Sequence, residues 1–146
     1  GIRVIMARMG IVLSAGGGAL AQMLPPFRLG LGGIAGSGRQ YLSWISLEDA
    51  ARALIHLVEC KAVHGPANIV SPNPVTNVEF TRALGRALRR PTILPVPSFA
   101  LRCLPGGMAH ETILASIRAR PGVLQKNSFP FRHPCIGEGI RSALSK

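Results

Sequence analysis

Gln40-Tyr41-Leu42-Ser43-Trp44-Ile45-Ser46-Leu47-Glu48-Asp49-Ala50 passes from an extended pattern to a helical one across a single residue. Residues 40–45 read as extended, and aromatic and β-branched side chains among them suit a strand. Ser46 stands three residues ahead of Asp49, the spacing of a capping box: the hydroxyl accepts the N3 backbone N–H and the N3 side chain reciprocates. Apolar residues then recur at Ala50, Ala53, Leu54, Leu57 and Val58, which predicts one buried helical face running to about Cys60. The stretch thus joins an extended segment to a capped amphipathic helix.

Upstream, residues 2–13 are apolar and β-branched with Arg3 and Arg8 inside the run, which predicts a largely buried strand ending near Ser14. Glycines 16–18 turn the chain, residues 19–24 begin a helix that Pro25-Pro26 stops, and residues 28–38 form a glycine-rich loop. Downstream, Gly65-Pro66 breaks the chain and residues 67–70 read as a short strand before the Pro72-Asn73-Pro74 turn. Thr76 with Glu79 forms a second capping box, and Val78, Phe80, Ala83, Leu84, Ala87 and Leu88 give its helix a buried face up to Arg89-Arg90-Pro91. Residues 93–96 read as a strand bounded by prolines, 98–104 and 108–119 as helices, 129–131 as a strand and 136–144 as a final helix. No internal repeat or low-complexity tail interrupts this order.

A chain of 146 residues with 47% hydrophobic content can bury the core of one domain. Its 17 Lys and Arg against 6 Asp and Glu give a net charge of +11, mostly from arginine. Such a surplus suits phosphate, nucleic acid or an acidic partner surface, and equally one half of a larger protein whose other half is acidic. Cys60, Cys103 and Cys135 are odd in number and far apart, so they outline neither a disulfide framework nor a C-x-x-C site. His56, His64, His110 and His133 show no metal-ligand spacing, and no metal is assigned. Residues 10–27 are uncharged, but three consecutive glycines and Pro25-Pro26 argue against a membrane span. Arg3 and Arg8 ahead of Ile11-Val12-Leu13, with Ala19-Leu20-Ala21 beyond, imitate a signal peptide whose apolar core is too poor. The chain opens on Gly1 instead of methionine, as if cut from something longer.

Three motifs bear on chemistry. Gly30-Leu31-Gly32-Gly33-Ile34-Ala35-Gly36 satisfies the G-x-x-G-x-x-G spacing of a dinucleotide loop, yet Pro25-Pro26-Phe27-Arg28 precedes it where a strand belongs and no helical pattern follows. A flexible loop is the reading adopted. Tyr41 is the sole tyrosine and Ile45 stands four residues on, so the Tyr-x-x-x-Lys pair of short-chain dehydrogenases, in which an ammonium lowers the phenol's pKa, is absent. Arg82, Arg86, Arg89 and Arg90 lie along one helix flank without interleaved aromatics, a solvated face and not a nucleic-acid platform.

Several longer runs carry a family likeness. Arg8-Met9-Gly10-Ile11-Val12-Leu13-Ser14, Gly17-Gly18-Ala19-Leu20 and Leu24-Pro25-Pro26-Phe27-Arg28-Leu29-Gly30-Leu31-Gly32-Gly33 resemble the atypical short-chain dehydrogenase/reductase family of YfcH-like sugar-nucleotide epimerases. The likeness continues through Gly36-Ser37-Gly38-Arg39-Gln40, Ser43-Trp44-Ile45-Ser46-Leu47-Glu48-Asp49, Gly65-Pro66-Ala67-Asn68, Pro72-Asn73-Pro74-Val75-Thr76-Asn77-Val78-Glu79-Phe80, Arg90-Pro91 and Leu94-Pro95-Val96-Pro97, weakening after about Gly106. It implies an α/β fold that is the C-terminal part of an NAD(P)-binding Rossmann enzyme: residues 1–14 a late strand of the Rossmann sheet, residues 15–146 a small α+β substrate-binding subdomain. The cofactor half, with the glycine fingerprint and the Tyr/Lys pair, would precede it.

The same resemblance implies site residues. Arg8 and Gly10 would sit beside the nicotinamide end of NADP, unless Arg8 is a buried structural arginine. Arg39, Gln40, Ser43 and Trp44 would line the substrate cleft, Trp44 as an aromatic wall and Gln40 and Ser43 as hydrogen-bonding groups, with Trp44 as core the plain alternative. Asp49 would serve the helix dipole. Two departures stand out: Ser46 occupies a position where the family usually has histidine, and Leu42 one where related sugar-nucleotide enzymes usually carry a diphosphate-binding arginine. No catalytic residue is assigned within the chain. The implied function is the substrate side of an NADP-dependent epimerase or oxidoreductase, inactive alone, cytoplasmic, with a small, sugar-like substrate. Its partner would be the missing N-terminal half or a second copy. The alternative is a non-catalytic basic module that binds an acidic protein or nucleic acid.

Overall fold

The computed structural model describes residues 1–96 and 115–145. In chain order its elements are β1 (Ile5–Met9), β2 (Ile11–Leu13), α1 (Gly18–Arg28), β3 (Tyr41–Leu42), β4 (Trp44–Ser46), α2 (Leu47–Glu59), β5 (Gly65–Ile69), β6 (Val75–Thr76), α3 (Asn77–Leu88), α4 (Gly122–Lys126) and α5 (Ile136–Leu144). The fold is α/β, and three two-stranded pairings organise it: β1 with β5 and β2 with β4, both parallel, and β3 with β6, antiparallel.

The apolar run expected as one strand is divided at Gly10 by a change of partner. Met9 pairs with Ile69 and Ile11 with Trp44. The Gly10 N–H donates to Ile69 O at 3.1 Å, and the next N–H, from Ile11, donates to Ser43 O at 2.8 Å. A Cβ at position 10 would lie 2.7 Å from that Ser43 oxygen and 2.8 Å from Val70 Cγ1, so the two backbones meet only because residue 10 has no side chain. The run is also less buried than expected. Leu13 is buried, but β1 is exposed from Met6 to Met9, since β5 is its one sheet neighbour among the described residues.

Two apolar cores follow from this division. Leu13, Leu20, Leu24, Phe27, Trp44, Phe80, Leu84 and Ile140 join β2, β4, α1, α3 and α5. Ile45, Ala53, Leu57, Ile69, Leu124 and Phe129 join α2, β5 and α4. Each leucine or phenylalanine fully buried in this way contributes about 1.5–3 kcal/mol. Within α1 the prolines do not end the helix as expected. Leu20, Leu24 and Phe27, spaced to one face, hold it in place, and Leu29 N–H reaches Pro25 O at 3.2 Å while Leu31 N–H reaches Pro26 O at 2.9 Å. The missing proline donors cost two helical bonds, but the proline carbonyls still serve the turn that closes the helix.

Both helices expected from capping signals form. At α3 the box is complete: Thr76 accepts from Glu79 N–H and Glu79 accepts from Thr76 N–H at 2.7 Å. At α2 it is half a box. Ser46 Oγ accepts the Asp49 N–H at 3.1 Å, but the Asp49 carboxylate turns inward instead of reciprocating. It is fully buried and takes the N–H groups of Arg132 and His133 and one Arg52 nitrogen at 2.8 Å. Asp49 is thus structural, as expected, but through a tie to the C-terminal segment and not chiefly through the helix dipole. The far end of α2 is capped from a distance: the Arg3 guanidinium donates to the carbonyls of Leu57, Val58, Cys60 and Val63 at 2.7–3.1 Å.

Elsewhere the expectations need correction. Residues 93–96 contribute one bridge, Val96 to Ala35, and no strand; Pro95 in their middle has no N–H to give a ladder. Residues 115–119 of the expected 108–119 helix are not helical: a bend at Ala115 leads into irregular chain hydrogen-bonded to Tyr41 and Ser43. The remainder of that helix and the 98–104 helix lie outside the described residues. Residues 129–131 form no strand; Phe129 and Phe131 instead meet edge to face at 4.8 Å beside α4, a helix the periodicity did not suggest.

Candidate functional site

A cleft of about 620 Å³ opens at the carboxyl ends of the parallel strands β1 and β5. Arg8, Met9 and Gly10 line it from β1 and the joint, Asn68 and Val70 from β5 and the residue after it, Tyr41 and Ser43 from β3 and its continuation, and Ala115, Ile117, Arg118 and Ala119 from the irregular segment ahead of α4. In open parallel α/β sheets ligands bind beyond the carboxyl ends of the strands, and this volume suits a small molecule.

Three of the residues named from sequence meet here, Arg8, Gly10 and Ser43. Arg8 is exposed, not the buried structural arginine that was the other possibility. Gly10 lines the cleft, and its packing requirement comes from Ser43 O and Val70 Cγ1, on two neighbouring lining residues. Ser43 is 5% exposed, and its hydroxyl donates to Ile117 O and accepts from Ala119 N–H, both at 2.8 Å. The other three stand elsewhere. Trp44 is wholly buried, its indole N–H donating to Asn73 O at 2.9 Å, so the aromatic wall is a core residue. Gln40 donates through its side-chain amide to Ala35 O at 2.8 Å and accepts Asn77 N–H with its carbonyl, tying down the glycine loop. Arg39 is exposed at the tip of that loop, away from the cleft lining.

Sequence reasoning missed Tyr41 as a lining residue, Asn68, and Arg118. Arg118 lies over the Tyr41 ring at 4.8 Å from its centroid. A helical reading of residues 108–119 concealed it, and nothing local announces that 115–119 is not helical. Tyr41 has no lysine beside it in the lining. The glycine loop is no dinucleotide cradle: a Cβ on Gly33 would overlap the Leu94 carbonyl, so the glycine serves internal packing. Arg82, Arg86, Arg89 and Arg90 are exposed along α3 and its end, where a second hollow of about 530 Å³ opens among them. At the foot of α2, the His133 imidazole Nδ1 lies 3.1 Å from Ser46 Oγ, so an imidazole reaches this position from a distant part of the chain. Among the described residues no cluster of three His, Cys, Asp or Glu could hold a metal, and no helix is long and apolar enough to cross a membrane.

The arrangement of parallel strands, crossover helix and strand-end cleft belongs to NAD(P)-binding Rossmann-like enzymes of the short-chain dehydrogenase/reductase type, and comparison with solved structures agrees. The human epimerase family protein SDR39U1 (isoform 2) with NADPH superposes with a TM-score of 0.89 at 36% identity over 99% of this chain and 49% of that one. UDP-glucose 4-epimerase from Thermus thermophilus in complex with NAD shares the fold, with a TM-score of 0.67 at 20% identity over 99% of this chain and 46% of that one. In sequence, the epimerase family protein ML0860 of Mycobacterium leprae is 48% identical over all 146 residues, which make up 48% of its length. Residues 96–143 match the family model described as a domain of unknown function, DUF1731. The chain matches the C-terminal portion of these epimerase family proteins and spans about half the length of the curated relatives it matches.

Proposed function

We propose that the chain is the substrate-binding C-terminal part of an NADP-dependent epimerase or oxidoreductase and has no activity by itself. The observation that carries this is the convergence of Arg8, Gly10 and Ser43 on one cleft at the ends of two parallel strands. The cofactor fits only at its reacting end. Gly10 offers a stretch of backbone without a side chain, and Arg8 an exposed positive charge, where a nicotinamide would enter, whereas the chain's single glycine-loop motif is closed by Leu94. NADP, when bound, would supply hydride transfer. This chain would orient the substrate against it, and the proton-transferring tyrosine and its lysine would come from outside.

In this reading β1 and β5 continue the parent sheet, and the rest of residues 15–146 shapes the substrate side. The exposed apolar side chains of Met6 and Met9 on β1 and of Val4 just before it, and the apolar stripe of Leu47, Leu54, Ile55 and Val58 on α2, are surfaces a cofactor half would cover. Pairing with that half is favoured over self-association, and the expected setting is the cytoplasm. The substrate would be a small molecule, sugar-like by the family's likeness. The human relative's structure with NADPH supports NADP as the parent's cofactor.

Calorimetry with NADPH tests the proposal. The 146-residue chain should give no measurable heat of binding, and a longer chain that includes the upstream half should bind clearly. Tight binding by the shorter chain would overturn it.

A further inference from the structure

The cleft carries two guanidinium groups, Arg8 and Arg118, and no carboxylate among its described lining residues. Arg118 is held there by an unusual amount of backbone work. Ser43 Oγ donates to Ile117 O and accepts from Ala119 N–H, so one buried hydroxyl grips the chain on either side of residue 118. Ile117 N–H donates to Tyr41 O at 3.1 Å, Tyr41 N–H donates to Ser116 Oγ at 3.1 Å, and Asn68 Nδ2 donates to Arg120 O at 3.1 Å. Five bonds therefore fix residues 116–120 as a ribbon along the rim. The guanidinium lies over the Tyr41 ring, a contact made through its face, and its in-plane N–H donors have no acceptor among the described residues.

A long arginine side chain ordinarily loses much rotamer freedom when it binds. Here ribbon and ring order it in advance, and its donors point to no protein acceptor among the described residues. We propose that Arg118 is the anion-recognising residue of this cleft and that Ser43 is its positioning residue, so that the molecule accepted carries an oxyanion, a phosphate or a carboxylate. Ser43 was expected to hydrogen-bond the substrate itself. Its one donor is already engaged by Ile117 O, and its part is to present Arg118. The inference rests on reading the cleft as the substrate's place.

Amide NMR titration of the full chain with glucose 1-phosphate, glucuronate and glucose separates the possibilities, since the three share a ring and differ in charge. The charged sugars should shift the amides of Tyr41, Asn68 and Ala119 at concentrations where glucose does not, and the tighter of the two identifies the oxyanion. Arg118→Gln should weaken that binding at least tenfold, Arg118→Lys by less, and Arg28→Gln, exposed and outside the cleft, not at all. Ser43→Ala should weaken it severalfold, Ser43→Thr should retain it, and Ser43→Ala should add nothing in an Arg118→Gln background. A merely structural serine would add its effect there. If glucose binds as well as its phosphate and Arg118→Gln changes nothing, the anion inference fails and the cleft stands. If no sugar shifts any cleft amide, both fail.

Discussion

Replacing Asp49 by alanine would strand the backbone donors that hold the C-terminal segment to α2. The carboxylate is completely buried and accepts from Arg132 N–H at 3.0 and 3.1 Å, from His133 N–H at 2.9 Å and from Arg52 at 2.8 Å. Hydrogen bonds to a charged acceptor contribute about 1.5–3 kcal/mol, and a buried donor left unpaired costs about 1–3 kcal/mol. Arg52 is 27% exposed at its side chain, which limits its ion pair to about 1 kcal/mol or less. Two stranded backbone donors then set the expected loss for Asp49→Ala at about 3–5 kcal/mol, and Asp49→Asn, which keeps one acceptor oxygen, at about 2–3 kcal/mol. Against a total stability of about 5–15 kcal/mol, that is a large shift. Guanidinium unfolding followed by circular dichroism measures it, provided the slope is unchanged. Glu48→Gln, which removes the exposed Glu48–Arg132 pair, serves as control and should cost under about 0.5 kcal/mol. An alanine variant within about 1 kcal/mol of the parent, below the cost of even one stranded pair, would refute the reasoning.

Other substitutions probe the remaining joints. Arg3→Met removes four bonds, two to the last carbonyls of α2 and two to those of Cys60 and Val63 just beyond it, and should destabilise by about 1–3 kcal/mol, with amide exchange speeding up at residues 57–60 before it does elsewhere. Gly10→Ala drives a methyl into Ser43 O and Val70 and should cost about 1–3 kcal/mol or more in a denaturant melt; an unchanged midpoint would mean that the strand joint is looser than described. Trp44→Phe removes the donor to Asn73 O and should cost about 0.5–1.5 kcal/mol without altering the titration shifts of any cleft ligand, since Trp44 has no surface in the cleft.

Local chemistry made part of this fold legible. The Thr76–Glu79 box, the Ser46 cap and the 136–144 helix are settled within a few residues of themselves, and the structure follows them. Features decided by distant partners were not legible. Nothing in residues 2–13 says that Gly10 must hand the chain from β5 to β4, because the reason lies at Ser43 and Val70. Pro25-Pro26 stop helices in general, but here Leu24 and Phe27 are buried and keep the turn helical. For the site the division is the same. Arg8, Gly10 and Ser43 were named through likeness to a family and do converge, whereas Trp44 and Gln40 answered to the core and the loop. Arg118 depends on hydrogen bonds to residues 41 and 43, some 75 positions away, which no pattern around it displays.

The central claim is that the cofactor's reacting end meets this chain where β1 and β5 end. Amide NMR of a longer protein, isotopically labelled and titrated with NADPH, tests it most directly. Shifts concentrated at Arg8 to Ile11 and Asn68 to Val70 are the predicted result. Shifts concentrated at Gly30 to Gly36 or around Arg82 to Thr92, with the strand ends unmoved, would contradict the account.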